Sequence, residues 1–100
     1  MRKTIAKPKG DDFQSVQIVF RDGKAQQVCL AGSFNDWNPT AMPMLHMSHD
    51  RWVKELSLPP GRYEYRFVVD GEWVSDPTGN DYMPNPHGSH NSVLVVEATQ

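Results

Sequence analysis

Apolar residues recur at every second position through much of this chain, the spacing of a half-buried strand. Val16, Ile18 and Phe20 alternate with Ser15, Gln17 and Val19, which predicts a strand from Phe13 with one apolar face. Arg21-Asp22-Gly23-Lys24 supplies an Asp-Gly hairpin signal, and Ala25 to Ala31 reads as a second strand. Gly32 to Pro43 is a polar loop holding Asn35, Asp36, Asn38 and Pro39. Trp52 to Leu58 is a third strand, ended by Pro59-Pro60-Gly61. Tyr63 to Val69 has the clearest alternation, with Tyr63, Tyr65, Phe67 and Val69 on one face and Glu64, Arg66 and Val68 on the other. Asp70-Gly71 is a second hairpin signal, and Glu72 to Val74 returns. A long loop rich in Asp, Asn, Pro, Gly and His covers 75–91, and Ser92 to Glu97 is the last strand. No helical period stands out, so the pattern predicts an all-β antiparallel sandwich. Residues 1–12 are charged and carry Pro8 and Gly10, a flexible basic N-terminal tail ahead of one domain over 13–100.

Register then gives two tryptophans a direction. If Asp70-Gly71 is the loop of a type I′ hairpin, Val69 pairs with Glu72 and Val68 with Trp73. Opposed residues share a face, so Trp73 stands with Val68, Arg66 and Glu64 on the outer side. A one-residue bulge would reverse this. Trp37 lies among turn formers; it either folds back as a plug for the core or stands exposed, and Phe34 is the stronger plug. Lys54 shares a face with Trp52, Leu56 and Leu58, so either its stem snorkels at a sheet edge or the strand has a bulge.

Composition narrows the partners. The chain has 100 residues, a formal net charge of −2 and 38% hydrophobic residues, enough for one core. So small a charge supplies no basic groove, which argues against nucleic acid. Cys29 is the single cysteine, so no internal disulfide forms and a reducing compartment is favoured. It sits in an apolar run and reads as a buried small hydrophobe. The basic start is not followed by the apolar stretch of a secretory leader, and no run approaches the roughly 18 apolar residues of a membrane span. A cytoplasmic setting with no membrane partner is expected.

Catalytic chemistry is not expected. Glycosidase action needs two carboxyl groups facing each other across a cleft. Asp36, Asp70, Glu72, Asp76 and Asp81 are available, but turn and capping roles account for most of them. His46, His49, His87 and His90 form two pairs at spacing three, which fixes no common face on a strand or loop. They read as solvated histidines, and neither metal nor cofactor is expected. Gly32-Ser33 and Gly88-Ser89 lack the spacing of a phosphate loop. If both Trp rings stand exposed on a stiff scaffold, they call for a ligand. Sugar rings have apolar C–H faces that stack on aromatic rings and hydroxyl rims that take hydrogen bonds. Trp offers a wide ring with little conformational entropy to lose. Arg66, Ser89 and Asn91 suit the hydroxyls.

The run Val28-Cys29-Leu30-Ala31-Gly32-Ser33-Phe34-Asn35-Asp36-Trp37 resembles the GSFNxW signature of family 48 carbohydrate-binding modules, which include glycogen-binding domains of a kinase regulatory subunit and resemble the early-set domains of isoamylases. Leu58-Pro59-Pro60-Gly61-Arg62-Tyr63-Glu64-Tyr65-Arg66-Phe67-Val68-Val69-Asp70-Gly71-Glu72-Trp73 is similar to the family's LPxGxYxYKFxVDGxW. Asp76-Pro77 and Gly88 to Val96 follow in the family's order. The resemblance implies an immunoglobulin-like, early-set antiparallel β-sandwich. It implies glucose stacking on Trp37 and Trp73, a basic contact at Arg66, and hydroxyl and amide contacts at Ser89 and Asn91. The family's apolar residue that reaches through the sugar ring falls at His87, where imidazole stands instead. The expected ligand is an α-glucan polysaccharide or maltooligosaccharide, and the expected protein partner a glycogen-metabolism enzyme or kinase. The competing expectation is an early-set protein–protein packing module that has lost sugar binding; exposure of the two Trp residues on one open face separates the two.

Overall fold

A computed structural model describes residues 13–78, 82–84 and 89–98. Eight strands are present among them: β1 (Gln14–Arg21), β2 (Val28–Gly32), β3 (Leu45–Met47), β4 (Arg51–Leu58), β5 (Gly61–Val69), β6 (Glu72–Val74), β7 (Tyr82–Pro84) and β8 (His90–Val96). They form two antiparallel sheets, one ordered β1-β4-β3 and the other β2-β5-β8-β7 with β6 also paired to β5. The two sheets face each other as the antiparallel sandwich that the alternation predicts.

The inner faces make the core. Ile18, Phe20, Trp52, Leu56 and Leu58 of the first sheet meet Val28, Leu30, Tyr65, Phe67 and Val96 of the second. Phe20 and Phe67 touch across the sheets at 4.6 Å between ring centroids. Full burial of such a side chain contributes about 1.5–3 kcal/mol. Phe34 plugs this core from its loop, as expected. Trp52 is buried and donates its indole N–H to the Asp22 carbonyl at 3.2 Å, so this third tryptophan is structural. Tyr63 donates its hydroxyl to the Pro59 carbonyl four residues upstream, the corner bond of immunoglobulin-like sandwiches.

Three local readings change and one open alternative is resolved. First, Asp22-Gly23 does not close a hairpin: β1 and β2 belong to different sheets. The Asp22 carboxylate instead accepts from the Lys24 and Ala25 amides, turning the chain between layers. Second, β2 begins at Val28 rather than Ala25, because the Asp70 carboxylate captures the Gln26 and Gln27 amides that a ladder would use. Third, two short strands form inside predicted loops, β3 beside β4 and β7 beside β8. Fourth, β1 and β4 pair without interruption from Gln14↔Leu58 to Arg21↔Arg51, so no bulge explains Lys54. β3 reaches only 51–53 of β4, which leaves Lys54 at a locally open edge with its stem half-buried. The tail over 1–12 and its boundary lie outside the described residues.

Candidate functional site

The outer face of the β2-β5-β8-β7 sheet brings the expected residues together. On β5, Glu64, Arg66 and Val68 point outward while Tyr65 and Phe67 enter the core. Val68 pairs with Cys29 on one side and with Trp73 on the other, and Ala31 pairs with Arg66. Cys29, Ala31 and Val68 form a small buried cluster, and Trp37 packs on it. Cys29, Val68 and Trp73 thus make one row across three strands, with Cys29 and Trp73 about 10 Å apart at the usual strand spacing. Both Trp37 and Trp73 stand on this face.

Trp73 reaches that face through hairpin geometry. Asp70 (φ 49°) and Gly71 (φ 88°) take the two left-handed positions of a tight turn. The register is Val69↔Glu72 and Val68↔Trp73, as the Asp-Gly turn predicts. Trp73 is 40% exposed.

Trp37 is delivered by its loop, and each residue of Gly-Ser-Phe-Asn has a physical job. Gly32 lies so close to β5 that a Cβ would come within 2.5 Å of the Glu64 carbonyl oxygen. The Glu64 amide donates to the Ser33 hydroxyl at 3.1 Å. Phe34 anchors in the core. The Asn35 amide donates to the Leu30 carbonyl and its Oδ1 accepts from the Gly32 amide, both at 3.0 Å. Asp36 (φ 57°) and Trp37 (φ 58°) are both left-handed, which reverses the chain, and the Trp37 amide closes on the Gly32 carbonyl at 2.9 Å. The indole is laid over the sheet rather than into the core. It is half-buried and does not plug the sandwich core: its inner side covers Cys29, Ala31 and Val68 on the outer face.

Polar groups lie beside the rings. The Arg66 guanidinium donates through Nη2 to the Ser89 hydroxyl at 3.0 Å and to the Trp73 carbonyl at 3.3 Å. Asn91 donates its amide to the Glu64 carboxylate at 3.1 Å. Trp37, Arg66, Trp73, Ser89 and Asn91 are therefore gathered on or beside one face, whereas His87 lies outside the described residues. Glu64 and Asn35 were not singled out from the sequence. Glu64 had a legible signal, its shared face with Arg66; the Asn35 bonds depend on a fold-back no local pattern shows.

Two of the candidate carboxylates, Asp70 and Asp76, are engaged elsewhere. Asp76 is buried and accepts from the Tyr65 hydroxyl at 2.5 Å and from the Thr78 amide and hydroxyl. Asp70 holds the 26–27 backbone, and Asp81 lies outside the described residues. Burial pushes the Cys29 thiol up, away from a reactive thiolate. Among the described residues no three His, Cys, Asp or Glu side chains gather as metal ligands, and no helix is long and apolar enough to cross a membrane.

The fold is an antiparallel β-sandwich of the immunoglobulin-like class, with Trp37 and Trp73 on the outer face of one sheet. The chain belongs to the family described as the glycogen recognition site of AMP-activated protein kinase, whose model matches residues 14–100. It is 38% identical over 87 residues to the beta-1 subunit of 5'-AMP-activated protein kinase from Bos taurus, a match covering 86% of this chain and 31% of that subunit. It is 45% identical over 72 residues to the beta-2 subunit from Mus musculus, covering 72% of this chain and 26% of that one. The chain thus spans about a third or less of the length of these relatives. Its fold also matches a solved maltogenic amylase from S. marinus with a TM-score of 0.72 at 22% identity, covering 97% of this chain and 16% of the amylase.

Proposed function

We propose that this chain binds α-glucan of the glycogen and starch type by stacking glucose units on Trp37 and Trp73, with no chemistry on the sugar. The observation that carries the reading is the placement of both indoles on the same face of one sheet, Trp37 packed over Cys29, Ala31 and Val68 and Trp73 paired with Val68. Arg66, Ser89 and Asn91 supply the hydroxyl partners. His87 replaces the apolar residue expected to pass through the sugar ring, and stacking then carries more of the affinity. The setting proposed is the cytoplasm, where a lone buried thiol such as Cys29 stays reduced. The association proposed is with a kinase or glycogen-metabolism enzyme that the module brings to polysaccharide, since the relatives are kinase subunits.

Trp73→Ala tests the site. Loss of a central stacking ring costs at least about 30-fold in affinity. The variant is expected to lose retention on glycogen and binding of β-cyclodextrin while keeping its far-UV circular dichroism. Unchanged retention would rule the face out.

The packing-module reading draws on a different surface. Leu45 is 70% exposed on the outer face of the other sheet, in one row with Val53 and Val19. The two surfaces lie on opposite sides of the sandwich, so occupancy of one leaves the other open.

A further inference from the structure

The aromatic face continues past Arg66 and Asn91 to the far edge of its sheet, where β7 carries Met83. Met83 pairs with Asn91, so the two share a face. Asn91 precedes Ser92, the partner of Tyr65, and so falls beside Arg66 on that face. Arg66 pairs in turn with Ala31, the residue that Trp37 covers. Met83, Asn91, Arg66 and Ala31 therefore form one row across four strands, about 14 Å from end to end at the usual spacing. Trp73 stands two residues along from this row, opposite Val68.

The other side of β7 is tied down. Tyr82 donates its hydroxyl to the Asp76 carbonyl at 2.6 Å, which fixes the side that Met83 presents outward. Edge strands are commonly blunted by charge, by proline or by brevity. Here Pro84 and a length of three residues serve that purpose, and position 83 is apolar and 38% exposed. A thioether is unbranched and polarizable, and it adapts to an irregular apolar surface. The C–H face of a pyranose is such a surface.

We infer that Met83 is a further glucan contact, an apolar rest for sugar units of a chain already stacked on Trp37 and Trp73, and that it makes the site prefer longer α-glucans. The inference rests on the glucan-binding reading. A short oligosaccharide fills the tryptophan subsite and stops short of β7. A longer one crosses the Arg66–Asn91 strip and lies against Met83.

The test uses protein carrying 13C in its methionine methyl groups, titrated with maltotriose and with maltoheptaose. Met47 is the internal control, since it is exposed on the opposite sheet. The Met83 methyl signal is expected to move with maltoheptaose and to stay with maltotriose, while Met47 stays with both. In parallel, Met83→Ala should weaken maltoheptaose binding about fivefold and leave maltotriose unchanged, with Met83→Leu close to the parent. A Met83 signal indifferent to maltoheptaose, or a Met83→Ala variant equally weakened for both sugars, would overturn the contact while leaving the tryptophan site intact. A parent protein that binds neither sugar would overturn both readings.

Discussion

Gly32→Ala is the perturbation whose cost the geometry sets most directly. A Cβ on Gly32 would lie 2.5 Å from the Glu64 carbonyl oxygen and 2.7 and 2.8 Å from Cζ and Cε2 of Phe34. The backbone there is extended (φ −167°), which any residue adopts, so the cost is steric. One obstacle is the main chain of β5, which cannot rotate away. The other is the ring that closes the core beneath the loop. Overpacking of this kind costs about 1–3 kcal/mol, and a backbone obstacle places it near about 3. A domain of this size loses about 4–8 °C of Tm per kcal/mol, so a fall of about 12–24 °C is expected. The displaced Phe34 and Glu64 are also among the supports of the loop that carries Trp37, so maltooligosaccharide affinity should fall well below the transition temperature. Gly71→Ala is the matched control: nothing lies within 4 Å of its Cβ, but φ is 88°. Its cost is backbone strain alone, about 1–2 kcal/mol. Thermal unfolding followed by circular dichroism, with a sugar titration in the cold, reads both effects. A Gly32→Ala variant within about 3 °C of the parent, or one milder than Gly71→Ala, would refute the close approach.

Two further predictions concern Tyr65 and Arg66. Burial, and then the bond to Asp76, push the Tyr65 phenol well above its ordinary value of 10.0. Because the folded value is the higher one, the stability this group contributes is complete below pH 10 and is lost as pH rises beyond it. The urea midpoint of the parent should therefore fall more steeply above pH 10 than that of Tyr65→Phe, which at neutral pH costs about 1.5 kcal/mol for the lost bond; parallel profiles would contradict this. Arg66→Ala removes donors to Ser89 and to the Trp73 carbonyl, costing about 1–2 kcal/mol of stability and weakening sugar binding. Arg66→Lys should recover sugar binding more fully than stability, because an ammonium keeps the charge but not the planar fork; equal recovery of both in melting and titration experiments would argue against that division.

The legible parts of this protein were those governed by neighbours in sequence. Alternation at Tyr63, Tyr65 and Phe67 marked the buried face of β5, and the two-residue turn at Asp70-Gly71 transmitted that assignment to Trp73. The family motifs around Gly32 and Trp73 pointed to the candidate site residues, and the sandwich follows the pattern of short alternating strands. β3 and β7 were not legible because three residues carry too little alternation and, unlike β6, neither is announced by an Asp-Gly turn; each exists only as the partner of a longer strand.

Asp22-Gly23 and Asp70-Gly71 look alike in the sequence, yet only the second joins paired strands. The difference lies in what each flanking strand can pair with: β1 finds β4 some thirty residues on, and no local signal records that. Trp37 follows the same rule. Its chemistry was plain from the chain alone, but its position required Asn35 to fasten on Leu30, Phe34 to enter the core and Gly32 to press against β5. The sequence by itself determined six of the eight described strands, the face of Trp73 and the kinds of side chain on offer. Tertiary structure alone decided which sheet each strand joined and where Trp37 and Met83 came to lie, because those depend on long-range pairing between residues that have no contact until the sandwich closes.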